Sequence, residues 1–203
     1  RWDVAAKKLS TITEDSHGTN GMQFDSAGRL LGCQGNQRRV IAFDSKSGEV
    51  LEVLADNFGG KRFNNPNDLW IDPKGGVYFT DPAYSRKNDE LELDGRHVYY
   101  ITPGEKKVIQ VTTKFNTPNG IVGTPDGKTL YITDRRLGRV WKFAVQEDGT
   151  LADKTVFCKV GADGMTLDER GNLYTTPQAK ALRVFAPDGT ELPKIAIPTP
   201  ASN

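Results

Sequence analysis

The 203 residues suit one domain or a piece of a larger protein, and 27 Lys and Arg against 26 Asp and Glu give a formal net charge of +1. Neither sign gathers into a long run, which excludes a basic footprint for nucleic acid and a polybasic patch for a membrane surface. No apolar stretch is long enough for a transmembrane helix, and two cysteines, Cys33 and Cys158, are too few and too distant for a disulfide framework or a metal pair.

The chain opens on "RWDVAAKKLS", which lacks the apolar core of a signal peptide. It starts without Met and in mid-pattern, so a removed leader stays open, and the compartment is left between the cytoplasm and the periplasm or exterior. Residues 1–19 read as two short strands, Trp2 on one and "LSTIT" on the other. From there four segments align: "TNGMQFDSAGRLLGC", "PNDLWIDPKGGVYFTD", "PNGIVGTPDGKTLYITD" and "ADGMTLDERGNLYTT". Each carries an Asn or Asp in its second position (Asn20, Asn67, Asn119 and Asp163) and a Gly eight residues later (Gly28, Gly75, Gly127 and Gly171). A third apolar run follows in each unit, as Val40 to Phe43, Val98 to Ile101, Val140 to Phe143 and Leu182 to Phe185. A fourth follows a turn, in "GEVLEVL", "KKVIQVT", "DKTVFCK" and "TELPKIAI".

Four short strands in each unit of about 40–50 residues is the form of a β-propeller blade, and no unit contains the helix a β–α solenoid needs. The expected fold is therefore all-β, a single propeller domain over residues 1–203 with four complete four-stranded blades and part of another. A propeller closes its ring to hide its edge strands, so the stretch reads as an excerpt of a longer chain. The alternative is a ring closed by a second copy.

The innermost strand of a blade lines the central channel, which predicts that Asn20, Asn67, Asn119 and Asp163 ring its mouth on one face. Asp81 in "FTDPAY" and Asp134 in "ITDRR" end second strands and are expected near the same mouth. Asp25, Asp72, Asp126 and Asp168 sit at the opposite end, as turn formers. Asn or Asp before Gly can be no more than a turn cap, yet Asn67 precedes Asp68. Four side-chain oxygens converging on an axis would suit Ca²⁺ or a similar hard cation. Asp163 is the one acid among the four, which singles it out as a base for activating water.

The stretches "NNPNDLWIDPKGGVYFTDPAY", "TPNGIVGTPDGKTLYITD" and "ADGMTLDERGNLYTTP" resemble the senescence marker protein/gluconolactonase family of regucalcin-like lactonases. The resemblance runs over essentially the whole chain. It implies a six-bladed propeller with one divalent cation in its channel, Ca²⁺ first and Zn²⁺ or Mg²⁺ otherwise, and a small lactone as substrate. It implies that Asn119 is a direct ligand and that Asp163 is both ligand and catalytic base. Asn67 would contact the cation directly or through water and help hold substrate. Asn65 falls at a substrate-contacting place, and Asn20 and His17 lie in a variable loop. Tyr84, ahead of the charged segment "SRKNDELELDG", would pack on a sugar ring, with Asp81 nearby at the mouth. That segment is either a solvated loop or a rim for substrate. One departure stands out: the family's Glu ligand belongs to a blade this stretch does not contain, so weak metal binding and little activity are expected of residues 1–203 alone.

Other chemistry has less support. His17 and His97 lack the motif of a Ser-His-Asp triad, with His97 expected at the surface or in a cross-strand pair, and neither cysteine has a basic neighbour in sequence to activate it. Two rivals to a sugar lactonase stay open: a propeller that binds a ligand or protein without chemistry, and a hydrolase of phosphotriesters or other lactones at the same site.

Overall fold

The aspartates and glycines of the repeat close tight turns, which make each unit a meander. Backbone N–H groups of Gly28, Gly75, Gly127 and Gly171 donate to the carbonyls of Asp25, Asp72, Thr124 and Asp168 at 2.8–3.0 Å. All four glycines sit at φ between 71° and 86°, a region that residues with a Cβ rarely enter. The computed structural model describes residues 1–84, 90–112, 115–177 and 179–201.

Two short strands, β1 (Trp2–Asp3) and β2 (Lys8–Leu9), pair with each other first. The first blade follows as β3 (Thr19–Phe24), β4 (Leu30–Gln34), β5 (Arg39–Phe43) and β6 (Val50–Ala55). A hairpin, β7 (Asn57–Phe58) and β8 (Lys61–Arg62), leads into the second blade, β9 (Leu69–Ile71), β10 (Val77–Asp81), β11 (His97–Ile101) and β12 (Val108–Thr112). The third blade is β13 (Pro118–Gly123), β14 (Thr129–Asp134), β15 (Arg139–Val145) and β16 (Leu151–Cys158). The fourth is β17 (Met165–Leu167), β18 (Leu173–Thr175), β19 (Ala181–Phe185) and β20 (Glu191–Ala196). Within each blade the strands pair antiparallel in chain order. The first strands β3, β9, β13 and β17 lie against one another in succession, as the innermost strands of a propeller do.

The β7–β8 hairpin is absent from the repeat pattern. Its turn is "GG", Gly59 and Gly60, at φ 60° and 80°. Phe58 packs on Tyr99 with ring centroids 5.2 Å apart. The buried Arg38 guanidinium secures the same segment, donating to the Phe63 and Arg62 carbonyls and to Glu92 Oε1.

The core lies between the blades. Successive side chains of a strand point to opposite faces, so β10 and β11 are buried throughout and serve two interfaces. Phe79 and Tyr99 face the first blade and pack with Phe63, Cys33 and Val40. Tyr78 and Tyr100 face the third blade and pack with Trp70, Ile121, Ile132 and Phe143. A third cluster, with Tyr131, Val140, Leu173 and Phe185, joins the last two blades. Two of the buried hydroxyls are partnered, Tyr78 donating to the Gly149 carbonyl at 2.7 Å and Tyr100 to Asp72 Oδ2 at 2.6 Å, whereas Tyr99 Oη is buried without a partner among the described residues. Asp72 thus closes its turn, as its place in the repeat predicts, and also satisfies an aromatic from the interface.

Candidate active site

The inner strands begin irregularly, and this irregularity aims the polar side chains. Pairing slips between Thr19 and Met22 in β3 and between Pro118 and Ile121 in β13. The residues in the slip are Asn20–Gly21 and Asn119–Gly120, two bulges that turn a side chain out of the normal alternation. Neighbouring strand starts then touch. Gly21 N donates to the Asn67 carbonyl at 2.8 Å, and a Cβ on Gly120 would run into the Asp163 carbonyl. A Cβ on Gly21 would likewise run into Asp68. Asp68 itself spans two blades, accepting from Leu69 N at 2.9 Å through Oδ1 and from Ile121 N at 3.1 Å through Oδ2. This explains the one ring position without a following glycine. There the extra carboxylate braces the next inner strand, and the neighbouring glycine makes room for it.

Asp81 and Asp134, expected near the channel mouth, stand behind the loops that lead to Asn67 and Asn119. Both are wholly buried. Asp81 accepts from Asn64 N at 2.8 Å and Asn65 N at 2.6 Å; Asp134 accepts from Asn116 N at 2.8 Å and Thr117 N at 3.1 Å. Each therefore stands behind the loop that carries a ring asparagine and supplies acceptors to its backbone amides, which lack strand partners. Gln34 occupies the same place in the first blade, where its amide donates to the Ser16 carbonyl at 3.4 Å. Asn64 is also more than a turn residue, being buried with its Nδ2 on the Gly95 carbonyl at 2.8 Å.

The structure joins Asn119, Asp163 and Tyr84. Asn119 is 1% exposed, and its Nδ2 donates to Asp163 Oδ1 at 2.8 Å and to Tyr84 Oη at 2.6 Å. Asn67 opens the adjacent inner strand and is 7% exposed. Among the described residues, the side-chain oxygens of Asn67 and Asn119 are buried without a hydrogen-bond partner. Such atoms are uncommon and call for an explanation such as a bound ion. Asn65 lies beside this group, its side chain occupying the space that Gly35 leaves by lacking a Cβ. Asn20 differs from the other ring residues: it is exposed on β3 and is not hydrogen-bonded to them. Arg135, absent from the residues singled out in the sequence, places its charge near Tyr84; the "DRR" after β14 was its only signal. Burial raises the Tyr84 phenol pKa, and Asn119 and Arg135 oppose that rise.

The donor set suits a hard cation. Among the described residues no three His, Cys, Asp or Glu side chains come together as a metal group. What gathers instead is carboxamide oxygen with one carboxylate, the chemistry of a Ca²⁺ site more than of a nitrogen- and sulfur-rich Zn²⁺ site.

The remaining candidates have structural partners. His17 Nδ1 lies 3.0 Å from Asp15 Oδ2. His97 is buried, not at the surface, with Nε2 2.9 Å from Asp94 Oδ1 and its ring edge-on to Tyr99. Burial pushes the Cys33 thiol well up and the Cys158 thiol up to about 12, so both are inert at neutral pH. Of the charged segment after Tyr84, residues 85–89 lie outside the described residues. Glu92 accepts from Arg62 N at 2.8 Å and from Arg38, which ties the far end of that segment to the β7–β8 hairpin.

Comparison with known proteins gives these residues a context. The chain is 30% identical over 189 residues to a gluconolactonase from Zymomonas mobilis, covering 85% of this chain and 52% of that protein. A solved gluconolactonase from Xanthomonas campestris superposes with a TM-score of 0.83 at 32% identity, over 91% of this chain and 64% of that one. A structural-genomics crystal structure described as a candidate gluconolactonase gives 0.89 at 28% identity, over 98% and 70%. The chain spans about half the length of the curated relatives it matches. With all of residues 1–203 matching the model of the SMP-30/Gluconolactonase/LRE-like region, the chain belongs to that family.

Proposed function

We propose that the protein is a cation-dependent hydrolase of sugar lactones, with Asp163 as the base. One observation carries this reading: two buried, partnerless carboxamide oxygens, of Asn67 and Asn119, stand at neighbouring inner-strand starts, and the Nδ2 of Asn119 donates to Asp163. In a chain of the gluconolactonase family, that arrangement supports Asn119, Asp163 and Asn67 as the side chains that would hold a divalent cation, Ca²⁺ ahead of Zn²⁺ or Mg²⁺. When bound, the cation supplies Lewis-acid polarisation of an ester carbonyl.

The chain's own residues do the rest. Asn119 holds Asp163 through Oδ1, so the carboxylate is oriented before substrate arrives. Asp163 takes a proton from the attacking water as its oxygen bonds to the lactone carbonyl carbon. The ring C–O bond then breaks, and the ring oxygen leaves as a hydroxyl carrying that proton, which yields the open-chain hydroxy acid. Asn65 and Asn67 line the approach and supply polar contacts to sugar hydroxyls. Asp81 supports them from behind by holding the Asn64–Asn65 backbone.

The reading is tested on the full-length protein by following acid release from a panel of aldonolactones with and without chelator. Chelator-sensitive hydrolysis is the expected result. Absence of hydrolysis across the panel, with or without added Ca²⁺, would return the chain to a binding propeller.

A further inference from the structure

We propose that Tyr84 is a positioning residue that locks the Asn119 carboxamide with Oδ1 turned toward the cation, a role that rests on the metal reading above and adds to it. A carboxamide has one acceptor and two N–H donors, and its neighbours determine which end faces where. Toward Asp163 Oδ1, an acceptor, Asn119 presents Nδ2, at 2.8 Å. One hydrogen bond leaves the amide free to swing. The second N–H, 2.6 Å from Tyr84 Oη, removes that freedom and leaves Oδ1 turned away from both, buried and without a hydrogen-bond partner among the described residues.

The chain is shaped to make this contact. Tyr84 follows β10 of the second blade, whereas Asn119 opens the third. Between β10 and Tyr84, Pro82 and Ala83 are buried, and Ala83 holds φ at 65°, a left-handed value that costs a residue with a Cβ. That turn swings the phenol away from its own blade and onto the neighbour's ring residue. Arg135, just after β14, brings a positive charge near the same phenol from the third blade.

The experiment is a calorimetric Ca²⁺ titration of the full-length wild type and of Tyr84→Phe, which keeps the ring and deletes the acceptor. Unfolding midpoints in chelator monitor the fold. Loss of an outer hydrogen bond to a ligand typically weakens metal affinity about 10- to 100-fold, and a rise of that size in Kd is expected. The accompanying loss of lactone hydrolysis should be relieved by raising Ca²⁺. A Tyr84→Phe affinity within twofold of a tightly binding wild type would overturn the proposal alone. A wild type that binds no divalent cation would overturn the metal reading, and this proposal with it.

Discussion

The two faces of this propeller treat the same side chains in opposite ways. On the turn face, Asp72 and Asp168 are saturated by their surroundings. Asp72 accepts from Lys74 N, Gly76 N and the Tyr100 hydroxyl; Asp168 accepts from Arg170 N, Asn172 N, Asn172 Nδ2 and the Tyr174 hydroxyl. On the channel face, Asp81 and Asp134 are consumed just as fully by loop amides. Asn67 and Asn119, only a few residues away in the same loops, keep a buried oxygen without a partner. The proposed cation ligands share an unspent acceptor inside the protein, as does the core hydroxyl of Tyr99. Polarity alone does not distinguish the two faces.

The contrast can be broken most sharply at Asp163. Changing Asp163→Asn in the full-length protein should lower kcat/KM for lactones by about 100- to 10,000-fold, the usual contribution of a positioned base. Retention of wild-type turnover at saturating cation would remove Asp163 from the chemistry. Asp81→Ala probes the saturated class on the same face. It leaves the buried Asn64 and Asn65 amides without an acceptor, at roughly 1–3 kcal/mol each, so urea unfolding should show a loss of about 2–6 kcal/mol. A loss near zero would mean that the loop does not depend on this carboxylate.

A steric test follows. Gly120→Ala sets a methyl against the Asp163 carbonyl; overpacking of this kind costs about 1–3 kcal/mol. The expected signs are a lowered Tm and weakened cation binding together, because the strand starts of the third and fourth blades must separate. The smallest effect belongs to the turn face. The Asn172 side-chain amide, with the turn's backbone amides, holds the Asp168 carboxyl below its ordinary value of 3.8. A folded-state value lowered in this way stabilises the protein above about pH 4, and that stability is lost as pH falls through the depressed value. Asp168→Asn should therefore differ slightly from wild type at neutral pH and converge with it in acid, as read from denaturant midpoints across pH.

Much of the fold is legible because its signals are local. Every strand of the four blades falls where an apolar run stands in the repeat, and the glycine of "DSAG", "DPKG", "TPDG" and "DERG" sits at positive φ in each turn. The β7–β8 hairpin escaped because it belongs to no repeat unit, although "GG" between the short pairs "NF" and "KR" was there to be read. In the site, Asn119 and Asp163 were legible by position and are brought together as expected. Asn20 was legible by the same rule and stands exposed on β3, where it is not hydrogen-bonded to the other ring residues. For Asp81 the strand end showed where the side chain lies but not that its oxygens would be taken up by the Asn64 and Asn65 amides. Arg135 and the bracing role of Asp68 were invisible, since both depend on contacts with a neighbouring blade.

The sequence by itself determined the meander, the count of blades and which residues open the inner strands. Those follow from a two-residue alternation and from turns closed over three residues, both written within a few positions of the chain. Only the tertiary structure decided which polar atoms are used up and which are left over. A hydrogen-bond partner for Asn119 comes from Tyr84, 35 residues earlier, and from Asp163, 44 residues later. No local pattern shows whether such distant groups will reach the same atom. The opening of β13 is thus a strand start by its sequence and a candidate cation site by its neighbours.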